Sequence, residues 1–230
     1  MRYEPPLEPA ILLRRYKRFL ADVELPDGTE RTVHCANPGA MTGLLAPRAR
    51  CWLWDSRNPK RRLRHSLELV EADGTWVCVN TARTNPLVAD ALDHGALSEA
   101  AGATAVRREV RCGESRLDFL LTVDGRPLWL EVKQATLASP PLARFPDAQT
   151  ERGRRHLREL SERVRVGERA ALLFVATRAD VTAFSPADDV DPDYGRGLRD
   201  AHALGVEVWA RRCRVGPEGL AIEAALRVEL

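Results

Sequence analysis

The stretch Ser115-Arg116-Leu117-Asp118-Phe119-Leu120-Leu121-Thr122-Val123-Asp124-Gly125-Arg126-Pro127-Leu128-Trp129-Leu130-Glu131-Val132-Lys133 decides how this chain is read. At its centre Asp124-Gly125 is a residue pair suited to the positive backbone angles of a two-residue hairpin turn. Counting outward from that turn sets Asp118 opposite Glu131 and Arg116 opposite Lys133. Side chains two apart on a strand share a face, so all four point the same way. Upstream, Gly113-Glu114 reads as a second turn, which places Glu109 opposite Asp118 and Arg111 opposite Arg116. Three strands then carry a row of acids, Glu109, Asp118 and Glu131, beside a row of bases, Arg111, Arg116 and Lys133. Val110, Leu117, Phe119, Leu130 and Val132 alternate onto the opposite, apolar face.

Like charges facing each other across a sheet oppose folding, so three carboxylates in a row call for a compensating charge. A divalent cation supplies it. Oxygen donors suit Mg²⁺, with Mn²⁺ as a substitute, and Mg²⁺ commonly takes one or two carboxylates together with substrate phosphate oxygens. The expected metal ligands are Asp118, Glu131 and Glu109, and the expected catalytic set is Asp118, Glu131 and Lys133. Lys133 would orient an attacking water or offset developing negative charge. The competing reading is an exposed sheet face whose ion pairs are worth about 0–1 kcal/mol each. Lysine occurs only at positions 17, 60 and 133 against 32 arginines, which favours a specific use of Lys133. Pro127 removes a backbone donor beside the turn and is the residue that would shift the register.

Around this hairpin the pattern predicts a helix opening at Asn85-Pro86 and running from Leu87 to Asp93, strands over 106–112, 115–123 and 128–134, a helix over 150–166 and an apolar strand from Ala170 to Ala176. That is an αβββαβ order. A further helix from Asp191-Pro192 to Leu204 and strands over 206–215 and 220–228 follow. On the long helix Leu157, Leu160 and Val164 form the apolar face, with Arg152, His156, Glu159 and Arg163 on another.

Before residue 85 the grammar is different: short strand-like runs over 18–25, 31–36, 50–55, 66–71 and 76–80, with turn signals at Pro26-Asp27-Gly28, Asn37-Pro38-Gly39, Asn58-Pro59 and Asp73-Gly74. About five short strands predict a small closed barrel of the OB kind, a shape that binds nucleic acids. The chain of 230 residues is therefore read as a mixed α+β protein with two domains, 1–85 and 86–230, each around its own core.

Net charge is only +2, but residues 1–85 hold 14 Lys or Arg against 10 Asp or Glu. Much of that excess lies in Arg14-Arg15-Tyr16-Lys17-Arg18 and Lys60-Arg61-Arg62-Leu63-Arg64, each either a solvated face or a phosphate contact. The residues assigned to DNA are Arg15, Lys17, Arg18, Lys60, Arg61, Arg62, Arg116, Arg152 and His156; the last two, four apart on the long helix, either face the acid cluster, for phosphate contact or proton transfer, or form a surface pair. His34 and Asn37 are either ligand-binding or turn-stabilising, the latter the commoner role of Asn beside a turn. Trp52, Trp54 and Trp76 are either stacking platforms for bases or core. Five cysteines with no CxxC pair argue against a disulfide framework and a zinc site. The longest apolar run, Ala170–Ala176, is far too short to span a bilayer, and no signal-type segment opens the chain, so a cytoplasmic location with no membrane partner is expected. A homodimer is left open.

Asp118 followed by Glu131-x-Lys133 on adjacent strands of an αβββαβ unit resembles the PD-(D/E)xK nuclease superfamily, with Leu117 where that superfamily carries proline. A resemblance across nearly the whole chain is to the sugar fermentation stimulation proteins. It rests on Arg15-Tyr16-Lys17-Arg18-Phe19-Leu20-Ala21-Asp22-Val23, on His34-Cys35-Ala36-Asn37-Pro38-Gly39-Ala40-Met41-Thr42-Gly43-Leu44, on Ser115–Leu121 with Glu131-Val132-Lys133, and on Phe145-Pro146-Asp147-Ala148-Gln149-Thr150-Glu151-Arg152-Gly153 continuing to His156-Leu157. This resemblance implies an OB-like barrel joined to a nuclease-like domain, DNA binding of low sequence preference and a regulatory role in sugar use, maltose especially. The alternative it leaves open is a Mg²⁺-dependent DNA endonuclease.

Overall fold

Strong local turn chemistry closes the first part of the chain into a barrel. In the computed structural model, which describes all 230 residues, strands β1 (Glu8–Tyr16), β2 (Leu20–Glu24), β3 (Glu30–His34), β4 (Arg50–Asp55), β5 (His65–Ala72) and β6 (Thr75–Cys78) form one sheet in the order β3-β2-β1-β4-β5-β6. A parallel pairing of His34 with Ser66 joins β3 to β5 and shuts the ring, giving the five-strand OB barrel. Asp73 and Gly74 take φ of 52° and 77° in the two-residue turn between β5 and β6, as an Asp-Gly pair allows. Strand β1 was not expected as a strand: its basic end, Arg14-Arg15-Tyr16, hides an alternation in which Ala10 and Leu12 turn into the barrel.

After a 3₁₀ turn at Thr81–Arg83 come α1 (Thr84–Asp93), β7 (Ala103–Cys112), β8 (Ser115–Val123), β9 (Arg126–Ala135), β10 (Leu137–Ser139), β11 (Leu142–Phe145) and α2 (Glu151–Arg165). Then follow β12 (Arg169–Ala176), β13 (Ala183–Pro186), α3 (Pro192–Ala203), β14 (Glu207–Gly216), β15 (Gly219–Ala225) and β16 (Arg227–Val228). The main sheet runs β15-β14-β12-β9-β8-β7, antiparallel at both edges and parallel through β9, β12 and β14. This is the αβββαβ order with the hairpin β10–β11 inserted. That hairpin joins β13 and β16 in a small second sheet that the sequence pattern did not reveal, because three- and four-residue strands carry too little periodicity. Helix α2 begins where the Thr150 side chain accepts from the Gly153 amide at 3.0 Å, and α3 where Asp191 accepts from Tyr194 at 3.0 Å. No helix is long and apolar enough to cross a membrane.

Three apolar clusters hold the layers together. One fills the barrel, around Leu12, Val23, Leu53 and Leu67. A second lies between the main sheet and α2 and α3, around Leu157, Leu160, Phe174 and Tyr194. The largest joins the barrel to the sheet. Tyr3, Leu7, Leu69 and Cys78 share it with Leu87 and Val88 of α1 and with Phe119, Leu130, Leu173 and Trp209. Besides a core within each half, the two halves thus share a third. Trp52, Trp54 and Trp76 pack against this shared cluster, which is the core role rather than the stacking role. All five cysteines are buried and unpaired.

Candidate metal centre

The hairpin at Asp124-Gly125 folds with the register counted from the sequence: Val123 pairs with Arg126, Thr122 with Pro127 and Phe119 with Leu130, so Pro127 shifts nothing. Backbone pairing stops there. At the next position Asp118 and Glu131 replace the ladder with side-chain bonds. The Val132 amide donates to Asp118 Oδ2 at 2.8 Å, and the Asp118 amide donates to Glu131 Oε2 at 3.3 Å. Each carboxylate therefore accepts from the main chain of the other's strand. The strands part at the point where the two acids meet. The parting also divides the apolar row expected on one face: Phe119 packs into the cluster shared with the barrel, and Leu117 into the cluster beneath α2.

Asp118 and Glu131 line one cleft of about 420 Å³ between the two halves of the chain. Its walls come from the barrel loop at Asn37-Pro38-Gly39, from Thr84 and Asn85 at the start of α1, from Lys133 and Gln134, and from Asp147 and Arg152 near the start of α2. Asn85 donates to Asp118 Oδ1 at 2.7 Å. Lys133 Nζ and His156 Nδ1 both hold Glu131 Oε1. Arg152 Nε donates to His156 Nε2 at 3.4 Å, so that nitrogen accepts and the ring proton belongs on Nδ1, facing Glu131.

The two acids have opposite electrostatic fates. Burial, and then the charge of Glu131, push the Asp118 carboxyl up to about 6. Burial acts on Glu131 in the same direction, but the Lys133 ammonium and the His156 hydrogen bond outweigh it and hold Glu131 down at about 2. The donors fit a hard divalent cation: the buried Glu131 and the half-buried Asp118, on adjacent strands, open to a polar cleft, each with lone pairs left beyond its present bonds. In a second group of possible ligands, Glu8, Asp55 and His65, the latter two already lie against guanidinium groups. Arg64 grips both oxygens of Asp55, and Arg31 lies 3.3 Å from the His65 ring nitrogens.

The remaining residues singled out in the sequence separate. Lys133, Arg152 and His156 join Asp118 and Glu131. Glu109 does not: it is exposed, takes a left-handed φ of 53°, and lines a neighbouring concavity with Arg111, Arg116, Arg152 and Arg155. Arg116 is there too, outside the cleft. Arg15 donates to the carbonyls of Asn37 and Gly39 at 2.8 and 2.9 Å, and Arg18 to that of Pro38 at 2.8 Å, so both brace the cleft loop. Lys17 sits in the β1–β2 turn and Lys60, Arg61 and Arg62 in the β4–β5 loop. His34 stacks on Phe19 with centroids 6.5 Å apart. Asn37 accepts from the Gly39 amide at 2.8 Å and donates to Val79, the turn-stabilising role.

Asn85 and Asp147 were missed as site residues. The Asp147 carboxylate accepts from the Met41 amide at 3.1 Å and occupies the space beside Gly39, where a Cβ would stand 2.2 Å from Oδ2. The pairing of an invading carboxylate with a glycine 108 positions earlier has no local signature.

Family models match both halves of the chain: one described as the SfsA N-terminal OB domain over residues 13–79, and one described as the sugar fermentation stimulation protein RE domain over residues 82–219. A sugar fermentation stimulation protein homologue of Geobacter metallireducens is 49% identical, with all of both chains covered. The homologue of Paramagnetospirillum magneticum is 47% identical over all of this chain and 98% of its own. Among solved structures, SfsA of Pyrococcus furiosus in complex with Ca²⁺ superimposes with a TM-score of 0.92 at 28% identity, covering 100% of this chain and 98% of that one.

Proposed function

The chain belongs to the sugar fermentation stimulation protein family, and from that membership and the geometry of the cleft we propose that it binds DNA without sequence preference and holds one divalent cation between Asp118 and Glu131. The observation that carries this reading is the reciprocal bonding of the two acids across parted strands, which presents both carboxylates to the same polar cleft. The Ca²⁺ bound by the Pyrococcus furiosus relative supports a cation of this class. Mg²⁺ is the ion proposed for the cell, because it accepts a small protein ligand set and completes its shell with water and phosphate oxygens.

DNA reaches the site, in this reading, over the barrel. Lys17 in the β1–β2 turn and Lys60 to Arg62 in the β4–β5 loop occupy the two loops through which OB folds hold oligonucleotides. The barrel, residues 1–85, supplies the grip and residues 86–230 the metal centre. Contacts of this kind carry affinity without reading bases, which suits a factor acting broadly in sugar metabolism, maltose use included.

Lys133 favours a second reading, a Mg²⁺-dependent DNA endonuclease. A bound cation would polarise a phosphodiester oxygen and acidify a water beside it. Asp118 and Glu131 supply the oxygen donors, and Asn85 fixes the rotation of Asp118. His156 holds Glu131 from behind, while the half-buried Lys133 ammonium offers positive charge where an oxyanion would grow.

Isothermal titration with Mn²⁺ tests the centre: one ion bound by the wild type, with Asp118→Asn and Glu131→Gln each losing at least tenfold in affinity. Absence of Mn²⁺ binding by the wild type overturns it. Fluorescence anisotropy with unrelated duplexes tests DNA binding, with equal affinities and a steep salt dependence expected. Incubation with Mg²⁺ and supercoiled, linear and single-stranded DNA decides hydrolysis: cutting that D118N abolishes establishes the second reading, and equal inertness of both proteins removes it.

A further inference from the structure

We propose that the concavity beside the metal cleft is a phosphate-binding subsite for nucleic acid, built by Arg111, Arg116, Arg152 and Arg155. It rests on the DNA-binding reading above and adds a second point of contact to it. The concavity encloses about 450 Å³ between β7, β8 and α2, and not one hydrophobic residue lines it.

Four guanidinium groups meet there, with only Glu109 and Glu114 as acids on the same wall. Arg111 and Arg116 are direct partners in the β7–β8 ladder, so two positive side chains face each other where a sheet ordinarily places complementary ones. Other arginines of this chain are paired with carboxylates. Arg14 bonds Asp22, Arg50 bonds Glu71, Arg154 bonds Asp191, Arg199 bonds Asp188 and Arg211 bonds Glu99. The four arginines of the concavity have no carboxylate within ion-pair distance. Glu159 is tied to the Glu114 amide at 3.1 Å, and the two acids that line the concavity, Glu109 and Glu114, are exposed and pair with none of the four arginines.

Two of the four arginines are oriented by the protein. Arg155 Nε donates to Ser115 Oγ at 3.0 Å, which orients the guanidinium and leaves its terminal nitrogens free. Arg152 lines both this concavity and the metal cleft, and His156 ties it to Glu131. A polyanion with regularly spaced phosphates would therefore place one phosphate at Asp118 and Glu131 and a neighbouring one among the arginines. Guanidinium forks match the oxygen geometry of phosphate, and lysine is absent from this wall. The phosphate belongs to either the chain interior or a strand terminus.

The test uses the full-length protein in Ca²⁺ with short duplexes carrying either a 5′-phosphate or a 5′-hydroxyl. R111Q/R116Q is compared with R214Q/R227Q, which removes the same charge from exposed positions across the sheet. R111Q/R116Q is expected to bind DNA about tenfold more weakly than wild type, with the slope of log affinity against log salt shallower by about 2 and Mn²⁺ affinity unchanged. The control is expected to stay within about twofold of wild type. Loss of affinity for both duplexes identifies an internal phosphate, and loss confined to the 5′-phosphorylated one identifies a terminal phosphate. R111Q/R116Q matching wild type or the control in affinity and slope overturns the subsite and leaves the metal centre standing. Arginine-dependent DNA binding without any Mn²⁺ binding overturns the metal centre and leaves the subsite. No DNA binding by the wild type overturns both.

Discussion

Asp118 and Glu131 stand on adjacent strands, bonded to each other's backbone, with acidities displaced to opposite sides of the ordinary carboxylate range, about 6 and about 2. Glu131 has its counter-charge within the protein, in Lys133, and a hydrogen bond from His156 beside it. Asp118 has none comparable. Its charge is the one a ligand cation would relieve.

A pH effect on stability follows from Asp118. With its folded pKa raised from 3.8 to about 6, its contribution to stability is complete below 3.8 and is lost as pH climbs through about 6. Above that the buried charge opposes folding. In chelator, Asp118→Asn is expected to be more stable than wild type at pH 8, by about 1–3 kcal/mol, with the difference vanishing near pH 4. Urea unfolding at the two pH values checks it.

Lys133→Met removes the cation that offsets burial of Glu131. Breaking a buried pair from one side leaves an uncompensated charge, so a loss of about 3 kcal/mol at pH 7 is expected. Glu131→Gln in the same background should recover part of it. Denaturant midpoints of the single and double variants measure the coupling.

Gly39→Ala places a methyl against the Asp147 carboxylate, because a Cβ there meets Oδ2 at 2.2 Å. The clash ejects Asp147 from the Met41 amide and costs about 1–3 kcal/mol. Asp147→Ala alone also loses that bond. The two losses are expected to be far from additive, and a thermal-denaturation cycle of G39A, D147A and the double variant shows whether one contact underlies both.

Much of the centre was legible because the determinants are local. Asp124-Gly125 fixed the hairpin, and the alternation of Leu117, Phe119, Leu130 and Val132 agreed with it, so the register of Phe119 with Leu130 could be counted residue by residue. The opening of the strands at Asp118 could not be counted. It arises from side chains taking over backbone hydrogen bonds, and it sends Leu117 and Phe119 to different clusters despite their equal parity. Glu109 failed to join for a related reason, since a left-handed residue breaks the alternation that placed it. Arg15 and Arg18 were read by their charge alone. What they bind is a set of carbonyls at the 37–39 loop, and loop carbonyls carry no trace in sequence.

Arg83→Met probes the joint between barrel and helix. Glu68 is fully buried and held by Arg83 at 3.0 and 3.1 Å and by Asn80. Burial already raises the Glu68 carboxyl above its ordinary range, against the pull of Arg83. Without Arg83 a loss of about 3–5 kcal/mol at neutral pH is expected. A raised folded pKa favours folding below the unfolded value and loses that contribution as pH rises, so the deficit should shrink on acidification. Melting temperatures between pH 5 and pH 8 follow it.

The cluster in which Tyr3, Leu69 and Cys78 meet Phe119 and Trp209 has a consequence for inheritance. Cut apart, each half would expose a sheet of leucine, tryptophan and phenylalanine to water. Neither is a portable module to be borrowed by another chain. A change in the tryptophan wall of one must be answered in the aromatic face of the other, so the barrel and the main sheet evolve as one object.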